Sequence, residues 1–409
     1  MISSRSQLAR PRVSSRLSAI QPSPTIAMGR LASDLAAQGR DIIALSQGEP
    51  DFDTPAHVCA AGIAAIESGQ TRYTNVDGTP ALKQAIIDKF KRENGLSYLP
   101  AEISVGTGGK QVIYNALLAT LEAGDEVIIP APYWVSYPDM VRLAGGSPVI
   151  VACPESDNFL LTADNLRASI TSRTKMLLLN SPSNPTGAGY SAEQLKSLAS
   201  VLLDYPDVLV LTDDMYEHLR FDDWQFSTMA AVEPRLKDRV LTCNGVSKAY
   251  SMTGWRIGYA GGPEDIIKAM SVLQSQSTSN PCSVSQAAAV AALSGSLDFL
   301  QERNQVFQDR RDYCVEQLNQ IPGLSCRKPN GAFYLFPSCA GFIGMTRPDG
   351  KLIESDTDFV MWLIEDAGVV TVPGSAFGLS SYFRISFAVS DQKLEAACAR
   401  IKVACEKLS

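Results

Sequence analysis

Lys248 lies in the run N-G-V-S-K-A-Y-S-M-T-G-W-R, residues 244–256, between short β-type segments at 239–242 and 257–262. A surface lysine more often occupies a polar helix face. A lysine in a Gly-bracketed turn between buried strands, eight residues before Arg256, instead sits in the neighbourhood of a permanent cation. Desolvation and a nearby cation lower an amine's pKa, and the neutral amine can form a Schiff base with a carbonyl compound. The bland alternative is an ordinary turn lysine. Arg256 itself carries a rigid donor fork suited to phosphate.

Four further segments could complete such a site. G-T-G-G-K, residues 106–110, falls between a β-type run and a helical pattern. There Gly108, Gly109 and Lys110 offer backbone N–H groups at a helix N-terminus, a natural seat for phosphate. The run lacks the spacing of a Walker A loop and the third glycine of a dinucleotide fingerprint. Asp213 and Tyr216 follow the β-type run 208–211. They read either as a turn acid and a core tyrosine, or as a carboxylate for a heteroaromatic nitrogen and a phenol donating to an aryl oxygen. Asn184, between prolines, is a turn residue or a second donor to that oxygen. Trp134 is core or a stacking face for an aromatic ligand. Arg384 interrupts the apolar run F-R-I-S-F, where a charge requires a carboxylate partner, internal or from a substrate.

The elements that must hold these residues alternate strand and helix through the middle of the chain, which predicts a mostly parallel sheet. Strands are expected near 103–105, 126–129, 147–151, 176–179 and 208–211. In such sheets ligands bind beyond the carboxyl ends of strands, where these motifs fall. Before the sheet, a helical approach is expected between residues 16 and 45. A strand follows at 42–45, and Thr79-Pro80 opens a helix over 81–93. Tyr73 sits in a polar loop between them. A long amphipathic helix, 298–318, links to a smaller domain whose clearest strands are expected at 332–336 and 383–388.

The chain has 409 residues, 45% hydrophobic and 19% charged, enough for one large and one smaller globular domain. A net charge of -7 argues against nucleic acid or an anionic membrane as main partner. No apolar run reaches the roughly 18 residues that span a bilayer. Nine scattered cysteines without a C-x-x-C pair favour free thiols in a reducing compartment. With only His57 and His218, neither a histidine metal site nor a Ser-His-Asp triad is expected. Residues 1–16 are Ser- and Arg-rich without an acid. They read as a flexible arm on a cytoplasmic protein, with an organellar transit peptide as the alternative.

A Schiff-base lysine, an acid for a pyridine nitrogen and a phosphate seat are the parts pyridoxal 5'-phosphate needs. From residue 14 onward the chain resembles a class I aminotransferase of fold type I, and within it the bacterial aspartate aminotransferase subgroup Ib. The resemblance rests on S-Q-G-E-P-D-F-D-T-P, G-T-G-G-K-Q, P-Y-W-V-S-Y-P, N-S-P-S-N-P-T-G, D-D-M-Y-E-H-L, S-K-A-Y-S-M-T-G-W-R-I-G-Y and F-R-I-S-F-A. It implies a large cofactor domain, residues 48–309, with a mostly parallel seven-stranded sheet. A smaller α/β domain would combine residues 16–47 with 310–409, after an arm at 1–15.

Carried over by position, Lys248 would attach the cofactor and shuttle a proton. Asp213 would face the ring nitrogen, Tyr216 and Asn184 the ring oxygen, and Trp134 the ring itself. Gly108, Gly109, Lys110, Ser247 and Arg256 would surround the phosphate, with Tyr73 reaching the phosphate of a neighbouring subunit in a homodimer. Gly48 and Arg384 would hold the substrate's α-carboxylate. Two departures stand out. Many relatives carry serine where this chain has Gly245, and Ser247 is the available substitute. The arginine that some relatives place before an Asn-Pro is absent from 274–280. In subgroup Ib the lysine of G-G-K-Q and an N-terminal threonine serve the distal carboxylate, and here these are Lys110 and Thr25.

The implied activity is ping-pong transfer of an amino group between an amino acid, aspartate above others, and 2-oxoglutarate. Aromatic amino acids or prephenate are the alternative substrates. The fold also hosts β-lyases. From another class, a non-catalytic cofactor sensor would need a helix-turn-helix module, and fewer than about fifty residues precede Gly48.

Overall fold

The computed structural model describes residues 12–20 and 22–409. Most of the N-terminal arm expected over 1–15 lies outside them. In chain order the strands are β1 (Ile43–Ala44), β2 (Ile103–Gly106), β3 (Glu126–Ala131), β4 (Ser147–Ala152), β5 (Thr174–Asn180), β6 (Leu209–Asp213), β7 (Val240–Gly245), β8 (Gly258–Gly261), β9 (Tyr334–Leu335), β10 (Val369–Val370), β11 (Val372–Pro373) and β12 (Phe383–Ser386).

Seven of them form one sheet in the order β2-β8-β7-β6-β5-β3-β4. Only β8 runs antiparallel to its neighbours, so the sheet is mostly parallel, as the alternation of elements predicts. Its central strands are buried along most of their length, with apolar runs such as Met176–Leu179 and Leu209–Leu211, because helices cover both faces. One core packs Val210, Leu177 and Ile128 against the helices Pro80–Asn94, Ala192–Leu203 and Ser283–Ser294. The other packs Val127, Ile129 and Leu211 against the helices Gly109–Thr120 and Glu264–Ser275.

The helix Pro80–Asn94 begins as its sequence predicts. Thr79 Oγ1 accepts from the Leu82 N–H, Pro80 occupies the first turn, and Gly95 ends the helix at φ 68°. The helical approach is shorter than expected: a 3-10 turn, Ser15–Ala19, and then the helix Pro24–Ala37. The linking helix runs Asp298–Asn319.

A further core gathers Phe307 and Leu318 of that helix with Leu45, Phe333, Ile385 and Ile401. Here strands are short. The expected strand 332–336 reduces to Tyr334–Leu335, since Ala332 takes a left-handed φ of 59° and its N–H donates to the Leu219 carbonyl. The strand expected over 383–388 ends at Ser386, where the Phe387 N–H turns to the Phe333 carbonyl. Among the described residues no helix is long and apolar enough to cross a membrane.

Candidate active site

A cleft of about 650 Å³ opens where the carboxyl ends of β5, β6 and β7 meet the segments around Gly48 and Arg384. Lys248, Asp213, Tyr216, Asn184, Trp134, Gly109, Lys110, Ser247, Arg256, Gly48, Thr25 and Arg384 all line it. Residues spread over most of the sequence thus converge on one space.

Lys248 stands in the loop between β7 and β8. The loop is held from outside: Thr54 Oγ1 donates to the Ser251 carbonyl, the Trp255 indole to Thr54, and Arg303 to the Ser251 hydroxyl. The Lys248 ammonium donates to the Gly48 carbonyl. Burial, helped by the positive charge of Arg384, lowers the Lys248 pKa to about 8. The amine therefore reaches balance between its two protonation states near pH 8, well below an ordinary lysine.

Asp213 ends β6 and is buried. Burial raises its pKa, while the Tyr137 hydroxyl at 2.7 Å, the Met215 N–H and the Lys248 ammonium pull it back. A buried carboxylate with no cation in direct contact is suited to receive one. The turn behind it is fixed by Glu217, which accepts from Lys89, Asn94 and Asn244. Tyr216 projects from the same turn, and burial holds its phenol well above the usual tyrosine range. It stays a proton donor.

Arg384 is 2% exposed and stacks between Tyr334 and Phe377, its guanidinium carbon 4.6 and 5.0 Å from the ring centres. It donates to Asn184 Oδ1 and to the Ser46 carbonyl, and its Nε has no partner. Of the two carboxylate sources the sequence leaves open, an internal one is absent among the described residues. Its hydrogen-bond partners are a neutral amide and a backbone carbonyl. A buried cation without an anion invites one from outside.

Gly108 caps the helix Gly109–Thr120 at φ 83°. A Cβ there would collide with the Arg256 guanidinium. A helix N-terminus with its backbone N–H groups and a guanidinium thus meet at one wall of the cleft. Gly245 is tightly surrounded, and a Cβ there would meet the flexible tip of Met215 at 2.9 Å and the Ile257 carbonyl at 3.0 Å. A serine there would require those neighbours to shift, whereas Ser247 already lines the cleft. Lys110 lies with Nζ 4.7 Å from the Trp134 ring centre. Partial burial and Arg256 lower its pKa.

Tyr73 is the predicted residue that this chain does not bring to its own cleft, being 91% exposed on the polar loop. Conversely, Tyr137 and Tyr334 line the cleft but went unassigned in the sequence. Tyr137 lies inside the P-Y-W-V-S-Y-P motif. Tyr334 offered no signal beyond a phenol in an apolar run.

A near-neutral lysine, a buried acid and an anion seat in an open-sided α/β sheet define an enzyme of the fold type I transferase class. Comparison with known proteins makes the assignment specific. Residues 40–401 match the family model described as aminotransferase class I and II. The aspartate/prephenate aminotransferase of Cereibacter sphaeroides is 57% identical over 97% of this chain and 99% of that protein. The crystal structure of the aspartate aminotransferase from Rhizobium meliloti superposes with a TM-score of 0.95 at 56% identity, covering 98% of this chain and 100% of that one. A Thermus thermophilus aspartate aminotransferase with maleate gives 0.90 at 40% identity, covering 96% and 100%. The chain belongs to the class I and II aminotransferases, enzymes that work with pyridoxal phosphate.

Proposed function

We propose that this aminotransferase binds pyridoxal 5'-phosphate in the cleft and moves an amino group between L-aspartate and 2-oxoglutarate. One observation carries the substrate assignment: a buried, anion-free guanidinium, Arg384, and a second cation, Lys110, line the same cleft. A dicarboxylic substrate would meet both. The Thermus relative was solved with maleate, a dicarboxylate.

The residues present fit the cofactor. Arg256, which packs so closely on Gly108 that a Cβ would clash with its guanidinium, would meet its phosphate, with Gly109, Lys110 and Ser247 alongside in the cleft. Asp213 would face the ring nitrogen, Asn184 and Tyr216 the ring oxygen, Trp134 the ring, and Lys248 the carbonyl carbon. When bound, the cofactor supplies an electron sink for the charge left at the substrate Cα.

The chain's own groups do the rest. Arg384 grips the α-carboxylate bidentately, with the Gly48 backbone beside it in the same cleft. That fixes Cα within reach of Lys248, whose amine takes the Cα proton and returns one as general base and then acid. Asp213, anchored by Tyr137, keeps positive charge stable beside it. Lys110 and Thr25 receive the distal carboxylate. The second half of the ping-pong cycle runs the same steps in reverse on the 2-oxo acid.

Two subunits are proposed to share each site, with Tyr73 of one completing the phosphate seat of the other. Its exposure in the single protomer supports this. Residues 16–47 with 310–409 are proposed to form a small domain against 48–309, a division supported by an apolar core drawn mainly from those two segments, with Tyr216, Leu219, Phe221 and Phe307 joining it from the large domain. A cytoplasmic location is proposed with them, on the unpaired cysteines.

Prephenate is the second reading, because it too carries two carboxylates and the Cereibacter relative is named for both activities. The test is a half-reaction screen that follows cofactor absorbance with aspartate, glutamate, phenylalanine and arogenate, in wild type and Lys110→Ala. Aspartate and glutamate should react fast, and Lys110→Ala should slow them about 10- to 100-fold while leaving phenylalanine nearly unchanged. Equal losses for all amino acids would remove Lys110 from the substrate. A preference for arogenate would move the enzyme to prephenate.

A further inference from the structure

Tyr334 is assigned no role above, yet it touches three residues that are. Its ring backs the Arg384 guanidinium, 4.6 Å from the ring centre. Its hydroxyl lies 2.9 Å from that of Tyr216. The same hydroxyl fills the space that a Cβ on Gly48 would need. The side chain is almost completely buried.

A phenol has a single proton, so only one hydroxyl donates across that gap. Among the described residues, each of the two hydroxyls has only the other as hydrogen-bond partner. If Tyr216 donated, the proton of Tyr334 would be left buried against Gly48 with no acceptor, a costly state. If Tyr334 donates, the proton of Tyr216 is free to point into the cleft. The charged and titratable groups facing this pair are Asp213 from β6, Arg384 from β12 and Lys248 from the β7–β8 loop. Burial keeps both phenols protonated against them.

We infer that Tyr334 is a positioning residue that donates to the Tyr216 oxygen, and so aims the Tyr216 proton into the cleft and strengthens it as a donor. A hydroxyl that accepts one hydrogen bond donates the next more strongly. The inference rests on the proposed contact between Tyr216 and the cofactor's ring oxygen. A donor to that oxygen favours its anionic form, so the cofactor releases its proton at lower pH. Losing the donor raises that pH.

The test uses the holoenzymes of Tyr216→Phe, Tyr334→Phe and the double variant, reading the pH midpoint of the cofactor's visible absorbance. Tyr216→Phe should raise the midpoint by about one unit, and Tyr334→Phe by on the order of 0.5 unit. The double variant should match Tyr216→Phe alone, because Tyr334 acts only through Tyr216. KM for aspartate in Tyr334→Phe should stay within about twofold, since the ring behind Arg384 remains. An unchanged midpoint in Tyr334→Phe, beside a shifted one in Tyr216→Phe, would reduce Tyr334 to packing. A Tyr334→Phe shift that persists in full in the double variant would show that it acts independently of Tyr216. No movement in Tyr216→Phe would remove the ring-oxygen contact, and the inference with it.

Discussion

At the scale of single residues, the cleft is defined by charges kept where water cannot neutralise them. Lys248 titrates at about 8 in the folded protein against an ordinary 10.5. Between those values the unfolded chain binds more protons. Stability of the cofactor-free protein should therefore rise with pH from about 8 to about 10.5, and the penalty is fully present below 8. Lys248→Met removes the charge at nearly constant volume. At pH 7 it should stabilise the cofactor-free protein by about 2 kcal/mol, allowing for the amine's partial opening to the cleft. The urea midpoints of the two proteins should converge toward pH 10.5, and a gap that does not narrow would mean the amine is not desolvated. The same variant should lose borohydride-fixed attachment of pyridoxal phosphate, read by intact mass. The chemical potential of Lys248 was legible in the sequence, from its Gly-bracketed turn between apolar runs. That Arg384 rather than Arg256 is the leading charge acting on it was not, because 136 residues separate them and only β12 folding back past the sheet brings them together.

Among the elements, the phosphate seat depends on how β2 hands over to the helix Gly109–Thr120. Gly108 is needed twice, for its φ of 83° and for the room it leaves Arg256. Gly108→Ala adds left-handed strain of about 1–2 kcal/mol to a steric push on the guanidinium. Affinity for pyridoxal phosphate should fall about tenfold or more, which a fluorescence titration would read. Binding at wild-type strength would place the phosphate elsewhere. The strand, the turn and the helix were each legible from the Gly-rich run. The strands near Tyr334 were read as longer than they are. An apolar run of four to six residues fits a strand, but it cannot announce that Ala332 leaves the ladder to bind the Leu219 carbonyl. That departure is decided by a partner more than a hundred residues away.

For the whole molecule, the exposed Tyr73 makes the sharpest prediction. A side chain 91% exposed in one protomer can be cut away at little cost to that protomer's stability. Tyr73→Ala should shift the urea midpoint by an amount equivalent to less than about 0.5 kcal/mol. It should nevertheless weaken cofactor retention several-fold, measured by dialysis of the holoenzyme, if a second copy receives the tyrosine. Unchanged retention would leave each protomer with a site of its own. The sequence by itself determined the fold class, the order of strands and helices, the lysine, the acid and the cations. The order of elements follows from hydrophobic period and turn chemistry, local properties of the chain, and the roles of the lysine, the acid and the cations from the motifs it shares with the class I aminotransferases. Only the tertiary structure decided that Arg384 has no internal carboxylate among the described residues, that Tyr137 and Tyr334 brace Asp213 and Tyr216, and that Gly245 is closely flanked by Met215 and the Ile257 carbonyl. Each of those depends on which surfaces meet when distant segments pack. That is a property of close-packed contacts, not of spacing along the chain.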